Sequence, residues 1–134
     1  MPYKEPQPGD IIAVDFDGTI VEKKFPLIGG WKPRALEVLK KLYNRGYKLI
    51  LWTCREDHVY DPDKQYLRDA KRRCTEHGLY FHAVNEHLFR PEFPDYEYEH
   101  NRKPFADWYI DDHSPLIEEI DWEFLGKFFG VLEK

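Results

Sequence analysis

The chain has 134 residues, 42% of them apolar, and a net charge of −5. That length suits one domain, residues 1–134, built around one core, and the acidic balance gives no general electrostatic reason to bind nucleic acid or an anionic membrane. The first ten residues, M-P-Y-K-E-P-Q-P-G-D, lack the apolar core of a signal peptide, and no apolar run is long enough to span a bilayer; a cytoplasmic protein acting on a small, freely diffusing partner is expected.

Residues 11–15, I-I-A-V-D, form a short apolar run ending in an acid, which predicts a buried parallel strand whose last residue emerges at the sheet edge. Gly18 then breaks the chain. Pro33 opens a helix at a position where its missing N–H costs nothing, Leu36, Leu39 and Leu42 recur at helical spacing, and Gly46 closes it. K-L-I-L-W, 48–52, is a second buried strand running into Thr53, Cys54 and Arg55. Asp61-Pro62-Asp63, the apolar series Leu67, Ala70 and Cys74, and Gly78 predict a second helix. Tyr80 to Val84 reads as a third strand, 85–103 as an irregular loop, and Ala106 to Ile110 as a strand running into Asp111-Asp112. Ser114-Pro115 has the form of a helix cap, and the apolar run Lys127 to Leu132 that of a fifth strand.

Strands alternating with helices imply an α/β fold, a Rossmann-like three-layer sandwich on a mainly parallel sheet of about five strands. Neither the segment from Thr19 to Pro33 nor the loop at 85–103 is long enough for a cap domain. In such sheets ligands bind beyond the carboxyl ends of the strands, where Asp15, Asp17, Thr53, Asp111 and Asp112 all fall. Four carboxylates gathered there need a cation, since two like charges about 4 Å apart repel by roughly 4 kcal/mol at an effective dielectric of 20. Oxygen ligands with room for water favour Mg²⁺ over zinc.

The string D-F-D-G-T-I at 15–20, a Thr after the second strand, a downstream Lys and a strand ending in D-D resemble, in order and over nearly the whole chain, the four motifs of the haloacid dehalogenase-like superfamily of phosphohydrolases. The resemblance implies a phosphatase that cleaves a phosphomonoester through an aspartyl phosphate on Asp15. Asp17 would protonate the leaving alcohol and later deprotonate water. The turn at Gly18 and Thr19 would bring backbone N–H groups to the phosphate, the Thr53 hydroxyl would hold a phosphoryl oxygen, and Lys103 would offset its charge. Magnesium would be held by the Asp15 carboxylate, the Asp17 carbonyl and Asp111, with Asp112 as a further ligand or a support for one. The dehalogenase branch lacks the second Asp of the first motif, so Asp17 favours phosphoryl chemistry. Lys103 stands closer to Asp111 than in many members.

Arg55, two residues beyond Thr53, suits either a bidentate grip on substrate phosphate or a surface pair with Glu56 or Asp57. Cys54 and Cys74 are expected as free thiols, and the histidines with Cys74 lack compact zinc spacing. Phe89, Phe93, Tyr96 and Tyr98 are interleaved with acids, unlike a nucleic-acid stacking surface; packing of that loop on its own domain is expected, and the loop folding over the site together with a homo-oligomer contact through it would exclude water from an otherwise open site. Two rivals remain: a phosphotransferase using the same intermediate, and a phospho-accepting receiver domain. Receivers carry adjacent acids after the first strand and the phosphorylated Asp near the middle strand, whereas here D-x-D comes first and D-D last.

Overall fold

The structure is a computed structural model that describes residues 4–86, 88, 104–111 and 119–133. Their elements run β1 (Ile11–Val14), α1 (Ala35–Arg45), β2 (Lys48–Leu51), α2 (Tyr66–Glu76), β3 (Ala83–Val84), β4 (Trp108–Ile110) and α3 (Trp122–Phe128). The four strands form one sheet in the order β3-β2-β1-β4, every neighbouring pair parallel, with Val14 opposite both Leu51 and Ile110. The α/β fold with a parallel, Rossmann-like sheet follows the sequence pattern.

Strand β1 is buried along its whole length, as expected of a central strand covered on both faces. Its alternate residues define two clusters. Ile12 and Val14 join Leu49, Leu51 and Ile110 on one face, where Val38, Leu39 and Leu42 of α1, Ala70 and Cys74 of α2, and Trp122 of α3 pack on them. Ile11 and Ala13 face the other way, with Ile50, Ala83 and Ala106. All three described helices thus meet the first face. Of the expected three layers, the described residues supply two.

Helix α1 ends as the sequence predicts. Gly46 adopts the left-handed conformation at φ 104°, its N–H reaches Tyr43, and the Tyr47 N–H reaches back to Leu42, which satisfies carbonyls a helix end leaves open. Helix α2 begins later than the Asp-Pro-Asp signal implied. That signal makes a turn instead: Asp61 accepts from the Asp63 N–H through its side chain at 3.0 Å and from the Lys64 N–H through its carbonyl, the local bonding by which Asp competes with helix. The helix is capped from a distance by Asp57, which accepts from the Arg68 N–H at 3.0 Å.

The expected fifth strand at 127–132 is a correction: the described sheet has four strands, and this run completes α3 and folds back. The Val131 and Leu132 N–H groups both donate to the Gly126 carbonyl, and Gly130 takes φ 76° at the bend. Phe129, Val131 and Leu132 enter the core by that return, so the apolar run is buried without pairing to a strand. A Cβ on Gly126 would lie 2.6 Å from Leu132 Cγ and 3.0 Å from Val38 Cγ2; the close approach of α3 to α1 needs glycine there. The Ser114-Pro115 cap lies outside the described residues. Among those described, no helix is long and apolar enough to cross a membrane.

Candidate active site

Two strands lie on one side of β1 and one on the other, so the chain reverses its winding beside β1. The crevice beyond the carboxyl ends of β1 and β4 is the switch point where parallel sheets bind ligands. Val14 and Ile110 are partners in the ladder, and the Asp15 N–H continues it by donating to the Ile110 carbonyl at 3.0 Å. Asp15 and Asp111 therefore leave neighbouring strands at the same level, about 4.8 Å apart in a regular sheet.

The turn after β1 is closed on itself. The Phe16 carbonyl accepts from the N–H groups of Thr19, Ile20 and Val21, and the Gly18 N–H donates to Val21 at 2.8 Å. Gly18 has φ 84°, which glycine adopts without penalty. The resemblance implied that the turn at Gly18 and Thr19 would bring N–H groups to a phosphate; the N–H groups of these two residues are committed to the turn itself. Thr19 acts on the nucleophile candidate instead, its hydroxyl donating to Asp15 Oδ2 at 3.2 Å. Its carbonyl accepts from the Trp122 indole at 2.8 Å, so α3 braces the turn.

At the end of β2, Thr53 is buried. Its backbone N–H donates to Asn85 Oδ1 at 2.8 Å, and its hydroxyl oxygen accepts from the Arg55 N–H at 3.1 Å. The second bond uses the hydroxyl as acceptor and leaves its proton as a donor. Asn85 stands just after β3 at φ 55°, a left-handed conformation Asn tolerates better than most residues. The sequence reading passed over it, placing it at the start of a loop. An Asn directly after a strand, where the chain must turn, was the available signal.

Arg55 satisfies neither sequence-based expectation. It is 2% exposed, so it is no surface residue, and its partner is neither Glu56 nor Asp57. Its fork grips Asp17, Nε to Oδ2 and Nη2 to Oδ1, both at 2.8 Å. Nη2 also donates to the Leu27 carbonyl at 2.9 Å, and Nη1 to the carbonyls of Pro26 and Tyr66 at 3.4 Å. The guanidinium lies over the rings of Phe16 and Phe25, 5.3 and 5.1 Å from their centroids, within cation–π range. A guanidinium has five N–H donors; these five bonds leave none for a substrate phosphate.

Lys103 and Asp112 lie outside the described residues, as do Phe89, Phe93, Tyr96 and Tyr98. Among the described residues, no group of three or more His, Cys, Asp or Glu side chains is placed to hold a metal. The donors expected for magnesium are fewer: the carboxylates of Asp15 and Asp111, at matching levels of adjacent strands, and a backbone carbonyl. Hard oxygens, with water completing the shell, fit Mg²⁺. Zinc at Cys74 is out of place, because Cys74 is buried and burial pushes its thiol up to about 12. His77 uses Nδ1 on the Arg73 carbonyl at 2.9 Å. Both cysteines are free, as expected.

No protein-family model matches the chain, and no curated protein does. Among solved structures, the conserved protein coded by a locus from Bacteroides thetaiotaomicron superposes with a TM-score of 0.73 and 36% identity, over 91% of this chain and 90% of that one. Identity at that level across nine-tenths of both chains shows common descent as well as a common fold: the chain belongs to the same family as this conserved Bacteroides protein.

Proposed function

We propose that the chain is a magnesium-dependent phosphatase that hydrolyses a small phosphomonoester through an aspartyl phosphate on Asp15. One observation carries the reading: Asp15 and Asp111 leave β1 and β4 at the same level of the switch-point crevice, beside an Asp17 held at both oxygens. A phosphoryl group seated there meets a nucleophile and a proton carrier from the turn after β1 and a hydroxyl donor from the end of β2.

Asp15 attacks phosphorus, and the bond to the alcohol oxygen breaks. Asp17 gives that oxygen its proton, and then, as carboxylate, takes one from the water that attacks the acyl phosphate and releases phosphate and free Asp15. Splitting one displacement into two is the gain from covalent catalysis, and positioned proton transfer contributes typically ~10²–10⁴ in rate. The Thr53 hydroxyl donates to a phosphoryl oxygen, with its backbone fixed by Asn85. Thr19 orients Asp15 by holding one of its oxygens. Magnesium, when bound at Asp15, Asp111 and the Asp17 carbonyl, supplies the positive charge that lets carboxylates and phosphate approach one another. Lys103, from the resemblance, adds to that charge, and Asp112 supports the metal.

The test is hydrolysis of a broad panel of phosphorylated metabolites with Mg²⁺, scored by kcat/KM, together with acid quenching and mass spectrometry of the protein. Turnover should vanish in excess chelator, and quenched wild-type protein should carry phosphate on Asp15. Full activity in chelator, or equal phosphorylation of Asp15→Asn, would overturn the reading.

A further inference from the structure

The five bonds of Arg55 join three parts of the molecule that are distant in sequence: Asp17 after β1, the loop carbonyls of Pro26 and Leu27, and Tyr66 at the start of α2. Resting on the phosphatase reading, we propose that Arg55 is the residue that positions Asp17, fixing which edge of its carboxylate meets the leaving group and tying that edge to the loop at Pro26 and Leu27.

The reasoning begins with the carboxylate. It offers about four lone-pair sites, and the fork of Arg55 takes one on each oxygen from a single side. The remaining sites must carry the proton that Asp17 gives and takes, so the fork decides the direction in which that proton travels. Rotation about the last bond of Asp17 would break two charge-assisted bonds at once, and such bonds are roughly twice as strong as neutral ones. Arg55 cannot itself swing toward substrate, because it is buried, lies over two aromatic rings and has spent every donor. A lysine in its place would bring the charge without the fork.

The loop belongs to the same unit. The Glu22 and Lys32 N–H groups bond to the Gly30 and Ile20 carbonyls, so residues 20–32 form a narrow closed flap, and at Gly29 a Cβ would collide with the Glu22 carbonyl. Arg55 pins the outer part of this flap at Pro26 and Leu27, beside the exposed side chains of Phe25 and Leu27. The outer part of the flap is thereby fixed by the same guanidinium that holds the proton carrier.

The test compares two substrates: an alkyl phosphate, whose departing alkoxide needs a proton, and 4-nitrophenyl phosphate, whose leaving group departs without one. Arg55→Met should lower the rate of leaving-group release in the first turnover, before Asp17 is needed as a base, by about 10² on the alkyl ester, the lower range of proton-transfer catalysis, with KM nearly unchanged and a much smaller loss on the aryl ester. Asp17→Asn should show the same selectivity, and the double variant should be no worse than Asp17→Asn alone. Arg55→Lys keeps the buried charge without the fork and should keep the selective defect, which guards against a Met variant that fails to fold. A rise in KM with the first-turnover rate intact, or equal first-turnover losses on both esters, would overturn the proposal in favour of phosphate binding or a general structural role. The pairing is also read without activity. In thermal melts the Arg55→Met and Asp17→Asn effects should be strongly non-additive, and additive effects would overturn it even if the protein hydrolysed neither ester, an outcome that by itself would refute only the phosphatase reading.

Discussion

Both ends of the sheet carry acids, and the two ends use them differently. At the amino end, Asp107 accepts from the Ile11 N–H at 2.7 Å and from the Lys4 ammonium at 2.6 Å, while Asp10 accepts from the Trp108 indole at 2.9 Å. The cation there is 45% exposed, so its contribution is that of a surface pair, about 0–1 kcal/mol; the bonds to backbone and indole carry the stability. At the carboxyl end the cation is Arg55, its side chain 1% exposed. A buried pair of that kind is weak evidence of stabilisation, because desolvating both charges offsets their attraction. It gives a carboxylate with one orientation. An acid–cation pair closes the structure at one end and, on the phosphatase reading, aims the proton carrier at the other.

Substitutions at the two ends should separate these roles. The largest contrast is Asp15→Asn against Asp107→Asn. The first should abolish turnover with little change in melting temperature, since the amide keeps the shape and is a very poor nucleophile. The second should cost about 1–2 kcal/mol of stability through weakened hydrogen bonds while kcat per folded molecule stays the same. Chemical denaturation beside kinetics on the same preparations decides it; equal losses of activity in both would erase the distinction.

Asn85 sharpens the comparison, because it acts on the site through the backbone of Thr53. Asn85→Gly keeps the left-handed conformation and removes the acceptor, and kcat should fall about tenfold, less than the ~10²–10³ for loss of a direct oxyanion donor. Asn85→Ala should add about 1 kcal/mol of backbone strain, measurable as a lower melting point than the glycine variant has. Away from both ends, Gly126→Ala should cost about 1–3 kcal/mol by overpacking α3 against Leu132 and Val38, with unchanged kinetics.

The smallest effect concerns the thiols. Cys54, exposed between Thr53 and Arg55, should be alkylated in the native protein, whereas Cys74, buried with its thiol pushed up to about 12, should react only on unfolding. Mass spectrometry of briefly labelled native protein should find one adduct, and a doubly labelled native chain would place Cys74 at the surface.

Much of the frame was legible because periodicity and punctuation report burial directly. Ile11–Val14 and Lys48–Leu51 lie where the apolar runs are, and Gly46 ends α1 in the conformation its position implied. The errors have one cause, local signals outweighed by contacts the sequence does not display. Asp61-Pro62-Asp63 looks like a helix start, but Asp61 closes a turn and Asp57 caps the helix. The run at 127–132 looks like a strand, but Gly126 lets it fold back on α1. At the site, the order of Asp15, Asp17, Thr53 and Asp111 was readable, whereas the partner of Arg55 was not, since it sits 38 residues upstream and only the pairing of β1 with β2 brings the two together.

The pairing of β1 with β4 bears on how the molecule comes into being. Ile11 and Asp107, joined at the foot of those strands, are 96 residues apart, so most of the chain is the loop that this contact closes. Contacts so distant form slowly, because the entropy of closure must be met before they stabilise anything. A chain emerging from the ribosome holds Asp15, Asp17, Thr53 and Arg55 long before it holds Asp111, and until β4 docks it is a half-built crevice with no fourth wall. On the phosphatase reading, forms that lack β4 should therefore be inactive, and during refolding activity should return with the last sheet contacts, well after the circular-dichroism signal of α1 and α2.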